Sequence, residues 1–449
     1  MDKRQFLKSS GALATMTMLS RFTSAAPQKT SAARTNWAGN LTYHTDHLAD
    51  PTGTTQVEEF VKGHASLRAL GTRHSFNGIA DSTQNQISLS HFNQMSLDSQ
   101  AKTVTVGAGV PYGKLAPYID AKGFALHNLA SLPHISVVGA CVTGTHGSGV
   151  HNGNLSTAVT SFEFVAADGS LHTVSRDHHG DQFAGMVVNL GMLGVITRIT
   201  LEVQPTYQVA QAVYQDLSFD HLHHHLDDIF SSGYSVSLFS DWQKHRATQV
   251  WIKRRVEPGK KPAFEPEFYG AKLATQNLHP ITGHSAESCT EQMGVPGPWY
   301  ERLPHFRMNF TPSSGAELQS EYFVAREDGY RAILAVEELK DRITPHLFVT
   351  ELRTIDDDHL WISPCYHRPS LTIHFTWKPE WPVVRKILPL IEEKLAPFNV
   401  RPHWAKLFTL DAAHLRKVYP KLDDFKALAK QYDPHGKFRN EFITTELYS

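Results

Sequence analysis

After Pro205 the texture of the chain changes, and this change constrains the fold more than any single motif does. Four strand-like runs follow, at 235–242, 247–255, 347–355 and 371–377, separated by Pro- and Gly-rich loops such as 294–298. Runs of this kind predict a domain built on an antiparallel sheet. The stretch before Pro205 mixes both periods. Thr55 to Glu58 reads as a capping box, with Val57, Phe60 and Val61 at helical spacing behind it. A short strand, 67–70, runs into Gly71, and 102–106 alternates as a half-buried strand does. Tyr112, Leu115 and Ile119 share one helix face. In 195–203, Val195, Ile199, Leu201 and Val203 share one strand face, while Arg198, Thr200 and Glu202 share the other. The last stretch, 421–442, reads as a helix followed by a loop. The fold class is therefore α+β, with a mixed first domain and a sheet-based second one.

The chain is long enough for two or three domains, with 449 residues against ~150 per domain. Its 43 Lys and Arg balance 44 Asp and Glu. This leaves neither the basic footprint of a nucleic-acid binder nor a polybasic membrane patch. Cys141, Cys289 and Cys365 show no CxxC spacing and read as reduced structural thiols. The His-rich run 221–225 lies between Asp220 and Asp227 and reads as a solvated helix rather than a metal site, so no metal is expected.

The N-terminus has the layout of an export signal. Lys3-Arg4-Gln5-Phe6-Leu7-Lys8 precedes a weakly apolar run, 11–19, and then the small residues Ser24-Ala25-Ala26. The apolar run is too short to span a bilayer. The basic group resembles a twin-arginine signal with Lys in place of the first Arg. Export to the periplasm by that machinery is the expectation, with a cytoplasmic enzyme as the alternative.

Two segments could cradle a phosphate-bearing cofactor. Gly71-Thr72-Arg73-His74-Ser75-Phe76 follows a strand, where glycine allows a sharp turn and a close approach to a ligand. The run 139–149 contains Thr143-Gly144-Thr145-His146-Gly147-Ser148-Gly149. Neither ends in the Gly-Lys-Ser/Thr of a P-loop. Gly107-Ala108-Gly109 departs from the Rossmann fingerprint, because Tyr112 occupies the third glycine position and Pro111 interrupts the turn.

In the second domain, Glu351 and Arg353 lie two apart on one strand, and His374 and Thr376 two apart on another. The intervening Leu352 and Phe375 are apolar, and Gln319 sits between Glu317 and Glu321 in a further strand-like run. If these strands are neighbours, one sheet face carries all of these polar groups. Spacing alone favours a solvent-exposed face over a buried hydrogen-bonding cavity. Lys406, after Trp404, is a further candidate.

The sequence resembles the vanillyl-alcohol-oxidase-type flavoproteins and, within them, the alditol and xylitol oxidases, from about Thr35 to about Phe442. The marker strings are Thr35-Asn36-Trp37-Ala38-Gly39-Asn40, 71–77, Ala130-Ser131-Leu132-Pro133-His134-Ile135-Ser136, 144–149, 294–299, 310–322 and Pro402-His403-Trp404-Ala405-Lys406. Behind the export signal and linker (1–34), the resemblance implies an FAD-binding domain (35–206), a substrate domain (207–397) and a C-terminal segment (398–449) returning to the first domain. It implies FAD joined covalently through one bond, from His74 to the flavin 8α-methyl carbon. Ala69, Leu70, Gly71, Thr72, Arg73, His74, Ser75, Ser131, Ser136, Gly139, Thr143, Gly144, Thr145, His146, Ile196 and His403 match FAD-contacting positions.

Ser131, Gln319, Glu351, Arg353, His374, Thr376 and Lys406 match the substrate positions, all with the expected residue type, which reverses the solvent-exposed reading. The implied reaction takes a terminal hydroxyl of a polyol such as xylitol or sorbitol to the aldose and reduces dioxygen to hydrogen peroxide. His374 and Lys406 are the candidate bases. Arg353 would support developing negative charge, with Glu351 holding it. A monomer is expected. The rivals are an aldonolactone oxidase or a polyol dehydrogenase on the same fold, and a non-catalytic sugar-binding flavoprotein.

Overall fold

The computed structural model describes residues 34–257, 259–260, 262–308 and 316–449. The export-signal stretch and part of the 310–322 marker lie outside the described residues. Arg34–Ser449 make up one compact unit. No helix among the described residues is long and apolar enough to cross a membrane.

The first part of the chain builds three small sheets, one of them only the two-stranded pair Phe124–Ala125 and Gln204–Pro205. Leu48–Ala49, Gln86–Ser88 and Arg68–Leu70 form a three-stranded parallel sheet. Met95–Asp98, Thr103–Gly107, Val195–Glu202, Val159–Val165 and Leu171–Ser175 form a five-stranded antiparallel sheet, in that order. The alternation in Val195–Glu202 emerges as expected: Ile199 and Leu201 are buried and Arg198 and Glu202 exposed. The helix Tyr112–Asp120 buries Tyr112, Leu115 and Ile119.

The capping box at Thr55 does not form. The helix Thr54–Gly63 starts two residues earlier than that box requires, with Gly53 as its N-cap and no side-chain cap bond. Thr55 is thus already inside the first turn. Gln56 instead reaches back to accept the Thr52 amide at 2.7 Å. Val57 and Val61 are buried, as the helical spacing requires.

The second part forms a ten-stranded sheet whose main run is Glu267–Phe268, Ala271–Leu273, Gln208–Ser218, Arg246–Arg255, Ser235–Ser240, Leu347–Ile355, Ser370–Trp377, Leu318–Ala325 and Arg401–Pro402. Neighbouring strands are antiparallel. Successive side chains point to opposite faces, so each strand separates its roles. Leu352, Ile373, Phe375 and Tyr322 are fully buried on one face, and the Tyr322 hydroxyl donates to Glu392 of the helix Trp381–Leu395 at 2.8 Å. Truncating Phe375 in such a layer costs about 3–5 kcal/mol. The opposite face carries Glu321, Glu351, Arg353 and His374, all under a tenth exposed. The polar face is buried, and the solvent-exposed reading of it fails.

The C-terminal residues close onto the beginning of the chain. The Leu67 amide donates to the Lys437 carbonyl at 3.1 Å, and Asn440 Nδ2 donates to the Gly78 carbonyl at 2.8 Å. Buried Arg68 donates to backbone carbonyls of Ile79, Leu190 and Phe438. The three cysteines are free and buried, as structural thiols are.

Candidate active site

The polar sheet face looks into a cavity of about 570 Å³, and its other wall is the His74 loop. This volume lies within the ~300–1,000 Å³ usual for small-molecule sites. Fifteen of the sixteen residues expected to contact cofactor line it: Ala69, Leu70, Gly71, Thr72, Arg73, His74, Ser75, Ser131, Ser136, Gly139, Thr143, Thr145, His146, Ile196 and His403. Gly144 does not. It has φ +66°, and a Cβ there would meet Pro364 at 3.1 Å, so its role is the turn itself. All seven expected substrate residues line the same cavity.

The His74 wall is made by backbone and small side chains. The left-handed residue in the loop is Arg73, with φ 64°, rather than Gly71. The reason for Gly71 is close approach, since a Cβ there would lie 3.1 Å from Ser136 Oγ. Ser136 caps the short helix Val137–Val142 by accepting the Gly139 amide, and a Cβ on Gly139 would come within 2.7 Å of that hydroxyl. Trp37 stacks on the His74 ring at 5.1 Å and 19°, while the Trp37 amide donates to the Arg73 carbonyl at 2.7 Å. The His74 imidazole is therefore held on both its face and its backbone. Burial pushes its pKa down to about 4, leaving the ring neutral. Its Nδ1 is buried without a hydrogen-bond partner. A buried polar atom left unmatched in this way calls for a ligand, and a neutral imidazole nitrogen suits a bond to a cofactor carbon.

Two threads join this wall to the sheet. The Phe76 amide donates to the Ala405 carbonyl at 2.8 Å. Asn77 Nδ2 donates to the carbonyls of Trp404 at 2.9 Å and Lys406 at 2.7 Å. The loop that presents His74 thereby also sets the segment that presents Lys406.

The sheet wall is organised around Glu321, which the sequence reading mentioned only as a neighbour of Gln319. Pairing sets it there: Glu321 lies opposite His374, which lies opposite Glu351 on its other side. Glu321 accepts from Arg353 at 2.8 Å and from Lys406 at 2.7 Å, with His146 at 3.2 Å and His374 Nδ1 at 3.5 Å. Burial alone would raise the Glu321 pKa. The attraction of Lys406, His146 and Arg353 overcomes it and holds the carboxylate well below its usual range. Glu351 also pairs with Arg353, through an ion pair at 3.5 Å whose attraction, with that of Glu321, holds the guanidinium charged against burial, and Glu351 accepts from His305 at 2.7 Å. Sequence reasoning missed His305, because it lies on a loop far from the paired strands in sequence.

The candidate bases touch each other: Lys406 Nζ lies 2.6 Å from His374 Nδ1, and His374 Nε2 lies 3.2 Å from Thr376 Oγ1. Burial, reinforced by Lys406, pushes His374 down to about 4. Burial also lowers Lys406, against the pull of Glu321. Gln319 donates to Glu317 at 2.6 Å, and Arg353 reaches Ser131 at 3.4 Å. His146, Glu321 and His403 lie at metal-ligand spacing, but Arg353 and Lys406 already occupy the Glu321 oxygens, which disfavours a cation there. The 221–225 histidines lie far from this cavity's lining, on the helix Leu222–Ser231 and the turn before it.

Comparison with known proteins agrees with this geometry. Residues 46–175 match a family described as FAD binding domain, and 315–446 one described as D-arabinono-1,4-lactone oxidase. The alditol oxidase of a Streptomyces species is 44% identical over 417 residues, covering 92% of this chain and 98% of that protein. The L-gulonolactone oxidase of Mus musculus is 25% identical, over 92% of this chain and 98% of that protein. A crystal structure of cholesterol oxidase from B. sterolicum aligns with a TM-score of 0.73 at 15% identity, covering 92% of this chain and 96% of that one, which speaks to the fold alone. With an FAD-binding-domain match over 46–175, near-full-length similarity at 44% identity to an alditol oxidase and a buried polar wall facing the His74 loop, the chain belongs to the alditol oxidase family of FAD-dependent oxidoreductases.

Proposed function

We propose that this enzyme oxidises the terminal C1 hydroxyl of an alditol such as xylitol or sorbitol to the aldose. The observation that carries the reading is a single cavity with a neutral, partnerless His74 nitrogen on one wall and the Glu321–Arg353–Lys406–His374 cluster on the other. The 69–75 and 136–145 backbone would hold FAD, with His74 as its point of covalent attachment, and the flavin would supply a hydride acceptor that dioxygen can reoxidise with release of hydrogen peroxide.

The protein's own part is to bind hydroxyls and move one proton. Lys406 decides which nitrogen is free to accept it. As an ammonium, Lys406 donates to His374 Nδ1 and leaves Nε2 a donor. As a neutral amine, it accepts the Nδ1 proton, and Nε2 becomes an acceptor facing Thr376. In the proposed sequence the substrate hydroxyl proton goes to His374 Nε2, the Nδ1 proton passes to Lys406 Nζ, and Glu321 stabilises the resulting ammonium. Arg353, fixed by Glu321, supports negative charge on the oxygen as the proton leaves. Ser131, Gln319, Thr376 and Glu351 bind the remaining hydroxyls. Each buried partner left unmatched costs about 1–3 kcal/mol, which favours polyols over simple alcohols.

An anaerobic screen of flavin bleaching across alditols and aldonolactones tests the reading. Xylitol or sorbitol should bleach the holoenzyme and air should restore its colour with stoichiometric peroxide; bleaching by gulono-1,4-lactone alone would replace alditol with lactone chemistry. His74→Ala should remove all acid-stable flavin colour while the protein remains folded. Acid-stable colour that persists in the variant would refute the link. The basic and apolar groups at the start of the chain support export to the periplasm, with the residues up to about 34 as signal and linker. A covalent flavin suits a protein that acts outside the cytoplasm, because it is not lost by dissociation.

A further inference from the structure

We propose that Lys253 and His305 form a buried positioning pair that aims the Glu351 carboxylate at the hydroxyls of a bound polyol, an inference that rests on the alditol-oxidase reading above. Neither residue figures in the proton transfer. His305 does line the cavity, but its nearest polar partners are protein groups.

The geometry is a directed chain of donors. Lys253, on the strand Arg246–Arg255, is 1% exposed. Its ammonium has two polar partners: the Leu303 carbonyl and His305 Nδ1 at 3.1 Å. An ammonium carries no acceptor, so His305 must accept at Nδ1 and carry its proton on Nε2. That Nε2–H donates to Glu351 Oε1 at 2.7 Å. One carboxylate oxygen is thereby committed and the other is left to the cavity. Burial, against the nearby Glu351, holds His305 at about 4, so the ring is a neutral relay rather than a competing cation.

The pair is built in rather than incidental. His305 is fixed by its backbone, whose carbonyl accepts the Thr290 amide at 2.9 Å. Phe239 and Trp251 confine its ring edge-on, at 5.4 and 5.1 Å. Burying a lysine amine is costly unless its charge finds a partner. Here the charge is relayed to a carboxylate that the polyol also needs. A lysine present only to satisfy the Leu303 carbonyl would not require the second contact.

This arrangement titrates. The groups facing Lys253 are His305 and the Leu303 carbonyl from the 303–306 loop, Glu351 and Arg353 from the strand Leu347–Ile355, two strands away, and the Cys289 thiol. Burial pushes the Lys253 ammonium down to about 7, with Glu351 opposing. Burial, for its part, keeps the Cys289 thiol protonated, up at about 11. The ammonium therefore enforces the aligned chain below neutral pH, whereas above it the neutral amine can also accept the Nδ1 proton of His305 and the tautomer that donates to Glu351 is no longer fixed, while Glu351 stays ionised throughout. Polyol KM should climb above neutral pH without a parallel fall in kcat.

The test uses flavin-loaded full-length enzyme with xylitol. Lys253→Met and His305→Leu should raise KM on the order of tenfold, with kcat changed less than about threefold. His305→Gln, which keeps an N–H donor for Glu351, should recover most of that loss. In the double variant Lys253→Met/Glu351→Gln, KM should be no worse than in Glu351→Gln alone, because both changes remove the same interaction. The wild-type rise of KM above neutral pH should be absent from Lys253→Met. Additive effects of the two changes, a wild-type KM flat across neutral pH, or a fall in kcat with KM unchanged would each overturn the pairing. If Lys253→Met fails to fold, the wild-type and His305→Gln pH profiles decide the question. A wild-type holoenzyme that no polyol bleaches would sink the alditol reading and this inference with it, whereas normal wild-type turnover with additive variants would sink the inference alone.

Discussion

The two walls of the cavity are built in opposite ways. The His74 wall comes from continuous stretches of chain, 69–75 and 130–145, and works through backbone groups, small residues and close approach. The sheet wall comes from residues more than eighty positions apart, from Glu321 to Lys406, brought together by strand pairing and working through buried charge. The difference teaches where each wall is fragile. A backbone cradle tolerates local change in proportion to the atoms it must move. A buried charge cluster is all or nothing, because each member neutralises another.

The sharpest way to break this contrast is Glu321→Ala. It leaves Arg353 and Lys406 without their shared partner in a dry site. The expected cost is about 3–5 kcal/mol of stability, with turnover lower on the order of 10³-fold, read by thermal melting and steady-state kinetics. Near-normal stability would mean that the sheet wall is as forgiving as the cradle.

Acid should act next most strongly, and on the sheet wall it acts through two histidines. His305 and His374 sit at about 4 when folded, below the ~6.5 of an unfolded histidine. The unfolded state therefore binds the protons more readily, and the stability present above pH ~6.5 is lost as pH falls through about 4. The full loss is on the order of 3 kcal/mol for each residue. Denaturant midpoints measured from pH 7 to 4 should fall over that window, and less steeply in a His305→Gln variant.

Thr376→Val probes a hydroxyl rather than a charge on the same wall. It should lower kcat/KM for xylitol by about 1–3 kcal/mol while leaving covalent flavin loading unchanged. The smallest effect is expected on the opposite wall. Gly71→Ala sets a methyl 3.1 Å from Ser136 Oγ, which can shift slightly, and should cost about 1 kcal/mol of stability with polyol KM unaltered. An effect of Gly71→Ala on KM larger than that of Thr376→Val would invert the ranking of the walls.

Several features were legible in the linear sequence because their causes are local. The alternation of 195–203, the helix face of Tyr112, Leu115 and Ile119, and the strands at 347–355 and 371–377 follow from short-range periodicity, and the structure reproduces them. The loop at 69–75 was legible for the same reason, since its residues all line one cavity. Tertiary structure alone decided whether the polar face of those strands met water or a cavity. Spacing fixes only which side chains share a face; what covers the face depends on elements that pack there from elsewhere in the chain. It also decided that Glu321 joins Glu351 in neutralising Arg353, and that a loop histidine and a lysine two strands away hold Glu351. Those pairings depend on strand order, and a charge shows its partner only when long-range pairing sets the two within a few ångströms.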